Sequence, residues 1–241
     1  MSQVKSLCRQ WITHFEQLGW VLDDPEGVEE RFRNFNSESV ALIKETGIPP
    51  GFDPVLSQPD AITEFSNLEL VDPSDYEFIL IVTDREFRTT HPDHYKNSLI
   101  VRPKSLVLGL GCDRKTPMDL MENGIRLFLP THHLSFQSVH SLATLDSKRS
   151  EQSIQGLCEK FNWPISYYSQ EELDTVRGLE ERTGMVEQFI ASRSVSEPAA
   201  VLGAGSSELL IPKWRYQEKV SGNRVTLAAA RIPFGSDSTS K

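Results

Sequence analysis

The chain opens on a helical pattern. Val4, Leu7, Cys8, Trp11, Ile12, Phe15 and Leu18 recur at three- and four-residue intervals, and Gly19 closes the run. Residues 23–75 are acidic and interrupted by Pro25, Pro49, Pro50, Pro54, Pro59 and Pro73, with a short strand expected at SVALI (39–43) and a turn at TGIPPG. FILIV (78–82) is a continuous apolar run, which predicts a buried strand ending in TDRE; RTTHPDHYKNSL then reads as a polar loop. From residue 105 the pattern is regular. LVLGL predicts a strand, and TPMD a helix start with Thr116 as N-cap, Pro117 in the first helical position and Asp119 in the third. SVHSLATL ends in a strand. In EQSIQGLCEKFN, the residues Ile154, Leu157, Cys158 and Phe161 share one helical face. PISYY predicts a strand, and SQEEL a capping box, with Ser169 at the N-cap and Glu172 three residues on. SEPAAVLGAG predicts a short helix closed by glycine, and ELLIP and NRVTLAAARI predict strands joined through SGN.

Strands that alternate with helices predict an α/β fold: two small α/β units, the C-terminal one a mixed sheet with helices on both faces. The expected boundaries are an acidic region over 1–102, a second domain over 103–233 and a disordered tail over 234–241.

Composition narrows the function classes. The chain has 241 residues and is 38% hydrophobic, enough for a sizeable core. No apolar run reaches the ~18 residues of a membrane span, and the N-terminus lacks the apolar stretch of a signal peptide. Cys8, Cys112 and Cys158 are too far apart for a disulfide framework or a zinc knuckle, so a reducing cytoplasm is expected. The net charge of −9 belongs to the first segment: residues 1–103 hold 9 basic and 18 acidic side chains, and residues 104–231 hold 15 of each. No basic cluster is dense enough for a phosphate backbone, which argues against nucleic acid as a partner.

The chemistry concentrates at three strand ends. In GLGCDRKTP, Gly109-x-Gly111 follows a strand, but Arg114 stands where a dinucleotide-binding loop has its third small residue, and no acidic ribose partner follows. A phosphate loop of the Gly-Lys-Ser/Thr type is also missing. What remains is a sharp turn before a helix whose N–H groups, with Arg114 and Lys115, suit a carboxylate or phosphate; the plain alternative is a tight turn with solvated charges. Cys112 is either a thiol activated by the helix start or a small packed turn residue. ATLDSKRSE (143–151) places Thr144, Lys148 and Glu151 between a strand and a helix, where Lys148 suits a carboxylate and Glu151 a proton transfer; ordinary capping is the alternative. SVSEPAAVLGAGSSELLIPK puts Glu197 at a helix start and Lys213 after a strand. His91 and His94 lie three apart, and His132 and His133 are adjacent. Neither spacing makes a metal site, and none is expected.

Taken together, GLGCDRKTP, LATLDSKRSE, SVSEPAAVLGAG, IPK and VTLAAARI, in this order, resemble the C-terminal domain of the cobalamin-biosynthesis family CbiG, a domain shared with CobE. The resemblance runs from about 103 to 232, and NSESVALIKETG and FILIVTDRE are more loosely similar to CbiG's central region. It implies a cobalt-precorrin 5A hydrolase, which opens a δ-lactone and releases acetaldehyde, acting on a corrin intermediate that carries its own cobalt and needing no other cofactor. A binding or carrier protein of the CobE type is the alternative. Under this resemblance Gly109, Gly111, Cys112, Arg114, Thr116, Thr144, Lys148 and Lys213 are the candidate substrate-binding residues, and Glu151 and Glu197 the candidate catalytic acids. Nothing here matches the Ser-Gly-His…Gly-Gly-Ala-Asn type segment of the domain with which CbiG begins. The expectation is that this domain is absent, or supplied as a partner by a separate protein; a homo-oligomer stays open.

Overall fold

The computed structural model describes residues 3–23, 30, 34, 39–46, 62–183, 194–219 and 222–234. The chain divides into two compact units, residues 1–104 with 133–138 and 234–241, and residues 105–132 with 139–233. Both are α/β. Residues 47–51 of the TGIPPG turn, most of the acidic 23–75 stretch and the tail from 235 lie outside the described residues.

The first unit begins with α1 (Gln3–Gln17), followed by β1 (Val21–Asp23), β2 (Val40–Lys44), β3 (Ile62–Phe65), β4 (Phe78–Val82), α2 (Pro92–Asn97) and β5 (Ser98–Arg102). The sheet order is β1-β5-β4-β2-β3; β1 runs antiparallel to β5 and the other pairs are parallel. Val40, Leu42, Leu80, Val82 and Val101 pack with Trp11, Phe15 and Trp20 on one face. Ala41, Ile43, Ile79, Ile81 and Ile100 pack with Leu68 and Phe87 on the other. Burial on both faces is why FILIV shows no alternation, as central parallel strands do. The expected polar loop over 88–99 is instead α2 and the first residues of β5. All six residues of α2 lack burial, so no apolar stripe announces it, and Pro92 sets its first turn. Buried Arg102 is satisfied by Asp23 Oδ2 at 3.0 Å and by the Arg85 carbonyl. Residues 133–138 belong to this unit through Glu86 N–H to His133 O (2.8 Å) and Ser135 N–H to Asp84 O (2.7 Å).

The second unit runs β6 (Leu106–Cys112), α3 (Met118–Thr131), β7 (Val139–Leu145), α4 (Gln152–Phe161), β8 (Ile165–Tyr168), α5 (Gln170–Thr183), α6 (Ser196–Ala204), β9 (Ile211–Gln217) and β10 (Arg224–Arg231). Its sheet order is β8-β7-β6-β10-β9, with β6, β7 and β8 parallel and β10 antiparallel to both neighbours, so the sheet is mixed. Helices cover both faces. Val107, Ala143, Ala228 and Ala230 pack against Ala199, Ala200 and Ala204 of α6 and Leu173 and Val176 of α5. On the opposite face Trp214 and Tyr216 meet α3, through the Phe128 ring at 5.7 Å and at Gly124. The capping box at α5 is formed in both directions: Glu172 N–H donates to Ser169 Oγ (3.2 Å) and Ser169 N–H to Glu172 Oε2 (2.6 Å). The strand expected at ELLIP begins only at Ile211 and continues to Gln217, because β9 is a half-exposed edge strand whose polar and apolar residues alternate. Among the described residues no helix is long and apolar enough to cross a membrane.

One contact sets the spacing of helix and sheet in this unit. A Cβ on Gly109 would overlap the carbonyl oxygen of Ser196 and lie 2.9 Å from the nitrogen of Ala200, so α6 rests directly on β6 backbone. Gly109→Ala is therefore expected to lower stability by about 1–3 kcal/mol, the usual cost of overpacking. Urea unfolding measures it; a variant with an unchanged midpoint would show that α6 does not depend on this approach.

Candidate functional site

A cavity of about 300 Å³ opens in the second unit, beyond the N-terminus of α6. Strand register builds its floor. Gly111 of β6 pairs with Thr226 of β10, and Thr226 pairs with Arg215 of β9, which puts the three in one row across the sheet. Paired residues point to the same face, so this row lies on the α6 side, one step past the row that α6 covers at Gly109. Lys213 lies two residues from Arg215 and shares its face, while Trp214 and Tyr216 point the other way. Gly111 leaves the floor low, since a Cβ there would strike Thr226 Oγ1, which donates to the Gly111 carbonyl at 3.3 Å.

Ser194 and Val195 form the wall at the start of α6. The Ser194 and Ser196 hydroxyls are buried 3.0 Å apart. At the rim, Arg224 is fixed on Asp113: its backbone N–H donates to Asp113 Oδ2 at 3.0 Å and its Nε at 3.4 Å. Three cationic side chains and one carboxylate thus line the cavity, at the positive end of a helix. Burial pushes the Lys213 amine down from its ordinary value, and Arg215 adds to this, opposed by Glu197.

The residues singled out from the sequence fall into three groups. Gly111, Cys112 and Lys213 line the cavity. Gly109 carries α6, Thr144 Oγ1 donates to Leu110 O at 2.7 Å, and Thr116 is buried with its Oγ1 on Asp113 O at 2.9 Å, so these three shape the sheet edge. Thr116 is not the N-cap of α3. That position is held by Pro117, without a side-chain cap, because the Thr116 hydroxyl turns back to the preceding loop. Asp119 accepts from Leu120 N–H at 2.9 Å. Arg114 is exposed and does not line the cavity.

The 113–116 and 146–151 turns meet on the other side of Cys112. Lys115 is in the left-handed conformation at φ 57°, and its N–H donates to Glu151 Oε2 at 3.1 Å. Lys148 Nζ lies 3.7 Å from Glu151 Oε1. Burial pushes the Cys112 thiol up; Lys148 works against this, and Glu151 and Asp113 with it. Of the two readings of Cys112, desolvation, the largest influence here, favours the packed turn residue over the activated thiol. Glu197 is buried, and its Oε1 accepts the backbone N–H of Lys213 at 3.0 Å, tying β9 to the first turn of α6. Neither Glu151 nor Glu197 lines the cavity.

Ser194, Arg215, Arg224 and Thr226 were not singled out from the sequence. Each comes from a segment distant from GLGCDRKTP: the antiparallel register of β9 and β10 brings Arg215, Arg224 and Thr226 to it, and the packing of α6 on β6 brings Ser194. The available signal was the alternation in IPKWRYQ, where Lys213 and Arg215 fall on one face. Of the histidines, His94 Nε2 lies 2.8 Å from Val71 O, and His91 Nδ1 3.0 Å from Thr90 Oγ1.

Residues 106–230 match the family model described as Cobalamin synthesis G C-terminus. A cobalt-precorrin-5A hydrolase of Priestia megaterium is 29% identical over 220 residues, covering 91% of this chain and 57% of that protein. Protein CobE of a Sinorhizobium species is 29% identical over 107 residues, 44% of this chain and 70% of CobE. Among solved structures, the cobalamin biosynthesis protein chiG of Agrobacterium tumefaciens matches at 25% identity with a TM-score of 0.42, over 52% of this chain and 95% of that one. The chain therefore spans little more than half the length of the hydrolase. The family match takes in the glycine turn, the 146–151 turn, α6 and both outer strands, and with it the chain belongs to the cobalamin synthesis G C-terminus family, whose work is cobalamin biosynthesis.

Proposed function

We propose that this chain acts on cobalt-precorrin 5A as a hydrolase-like protein, opening the δ-lactone with release of acetaldehyde. The observation that carries this reading is the similarity to the Priestia hydrolase over 220 residues, which extends through both units, whereas the CobE match covers 107. The cavity supports it chemically. A corrin intermediate bears many carboxylates, and Lys213, Arg215, Arg224 and the start of α6 supply positive charge in one place. Lys148 and Arg114 extend that charge along the adjoining turns. Water adds through its oxygen to the lactone carbonyl carbon, its proton passing to a base. The tetrahedral oxyanion then collapses, the ring C–O bond breaks, and a carboxylate and a hydroxyl result. The freed hydroxyl then loses its proton to a base as its carbon becomes the aldehyde carbonyl. The carbon–carbon bond to the macrocycle breaks, its electron pair passes into the conjugated ring and is protonated there, and the two-carbon unit leaves as acetaldehyde. Glu151 is the proposed base, since one carboxylate oxygen is held by Lys115 N–H and the other faces Lys148. Glu197 is proposed to hold β9 in place. Cobalt travels with the substrate.

A second reading, a CobE-like protein that binds corrin intermediates without chemistry, is favoured by one observation: neither acid lines the cavity.

Anaerobic incubation of the chain with cobalt-precorrin 5A separates the two. Acetaldehyde, read by a coupled dehydrogenase, is expected from the native chain. Glu151→Gln should lower its release by about 10²–10⁴-fold while the corrin spectrum still shifts on mixing. A spectral shift without acetaldehyde from the native chain establishes the binding protein; neither signal overturns both readings.

Cys112 provides an independent check. Because burial disfavours its thiolate, alkylation by iodoacetamide should be slow near pH 7 and rise with pH. Lys148→Ala removes the cation that favours the thiolate, so alkylation should slow further at fixed pH. Bound corrin should protect Cys112; alkylation at the same rate with and without it would place the substrate elsewhere.

A further inference from the structure

The cavity is the wrong size and the wrong chemistry for a macrocycle, and the right ones for a piece of it. Its volume of about 300 Å³ stands at the lower limit of ligand pockets, which run to about 1,000 Å³ for drug-sized molecules. A corrin carrying its side chains is larger than such molecules. The face of a tetrapyrrole ring also calls for apolar or aromatic walls. Here the aromatic residues of β9, Trp214 and Tyr216, point to the opposite side of the sheet. Val195, the Cys112 thiol and the aliphatic stems of the long side chains supply the apolar surface of the lining, without an aromatic ring, and Lys213, Arg215, Arg224, Asp113 and two hydroxyls supply its polar groups. Placing a ring edge among those cations would strip them of water and return no hydrogen bonds. A carboxylate returns them at full strength.

We infer that this cavity seats a single carboxylate arm of the substrate, with the macrocycle outside it. The inference rests on the proposed corrin substrate and deepens it. The arm enters past Arg224 at the rim and ends between Lys213, Arg215 and the first turn of α6. Arg215 and Lys213 act as specificity determinants: they distinguish a free carboxylate from an amidated arm, because an amide carries no charge and its NH₂ would face cations. The reacting carbons then lie beyond the rim, which removes the need for a proton-transferring acid inside the cavity.

The test is equilibrium binding to the full chain, followed by the corrin absorption spectrum. The probes are a corrin with free carboxylate arms and the same corrin with its arms amidated; glutarate serves as a small competitor. The acid corrin is expected to bind about tenfold or more tightly than the amide, as befits charge-assisted hydrogen bonds, and glutarate at millimolar levels should displace it. Arg215→Gln should weaken the acid corrin about tenfold and leave the amide unchanged. Arg215 is exposed, so this variant keeps its fold, and an unchanged melting temperature checks that. Equal binding of acid and amide, or an Arg215→Gln loss shared by both, overturns the inference in favour of a pocket that grips the ring. Glutarate that binds the cavity without displacing the corrin also overturns it, and makes this a site for a free small dicarboxylate. Discrimination between the two corrins in a chain that releases no acetaldehyde leaves the subsite standing and removes the hydrolase reading. Absence of binding by either corrin removes both.

Discussion

The contact between the backbone of α6 and Gly109 of β6 governs the second unit. A helix that rests on a strand without an intervening side chain is placed within narrow limits, because interiors are packed too densely to absorb a shift. That placement decides where the helix begins. It ends its cover at the Gly109 row and leaves the Gly111 row open, with the helix's positive end above the gap. The antiparallel register of β10 and β9 then carries Thr226 and Arg215 into that row. A glycine pair in one strand and two register matches thus convert an ordinary helix–sheet layer into a concave basic site. Gly109 and Gly111 divide the labour: the first admits a helix, the second keeps a floor.

Glu197 completes this arrangement from below. Buried and bonded to the Lys213 backbone, it couples the edge strand to the helix start, so Lys213 and Arg215 are held relative to the N–H groups of α6. An edge strand has unpaired backbone groups and frays readily; a buried carboxylate accepting one of its N–H groups is an efficient restraint. Glu151 does the corresponding work between the 113–116 and 146–151 turns. Two acids that sequence patterning marks out for proton transfer each accept a backbone N–H; Glu197 thereby fixes Lys213, which lines the cavity, and Glu151 fixes the turn beside it.

Much of the fold was readable because local rules agreed with the tertiary outcome. FILIV is fully buried, the SQEEL capping box forms, and the α4 face of Ile154, Leu157 and Cys158 is inside. Misreadings occurred where local and tertiary demands diverged. α2 has no buried residue to betray it. The Thr116 hydroxyl had a nearer carbonyl to serve than the end of its helix. The site was readable only by halves: GLGCDRKTP and Lys213 stand out in sequence, but Arg215 and Arg224 become neighbours of Gly111 and Asp113 through pairing across more than a hundred residues, which no local pattern encodes.

The account's central claim is that the Gly111–Thr226–Arg215 row and the start of α6 form one carboxylate-binding seat. A crystal structure of the chain with a carboxylate-bearing corrin bound tests it most directly. The account predicts carboxylate oxygens within hydrogen-bond distance of the Arg215 and Lys213 side chains and of the first N–H groups of α6, with the ring outside. A ring plane inside the cavity, or a corrin bound with the cavity holding water alone, would contradict it.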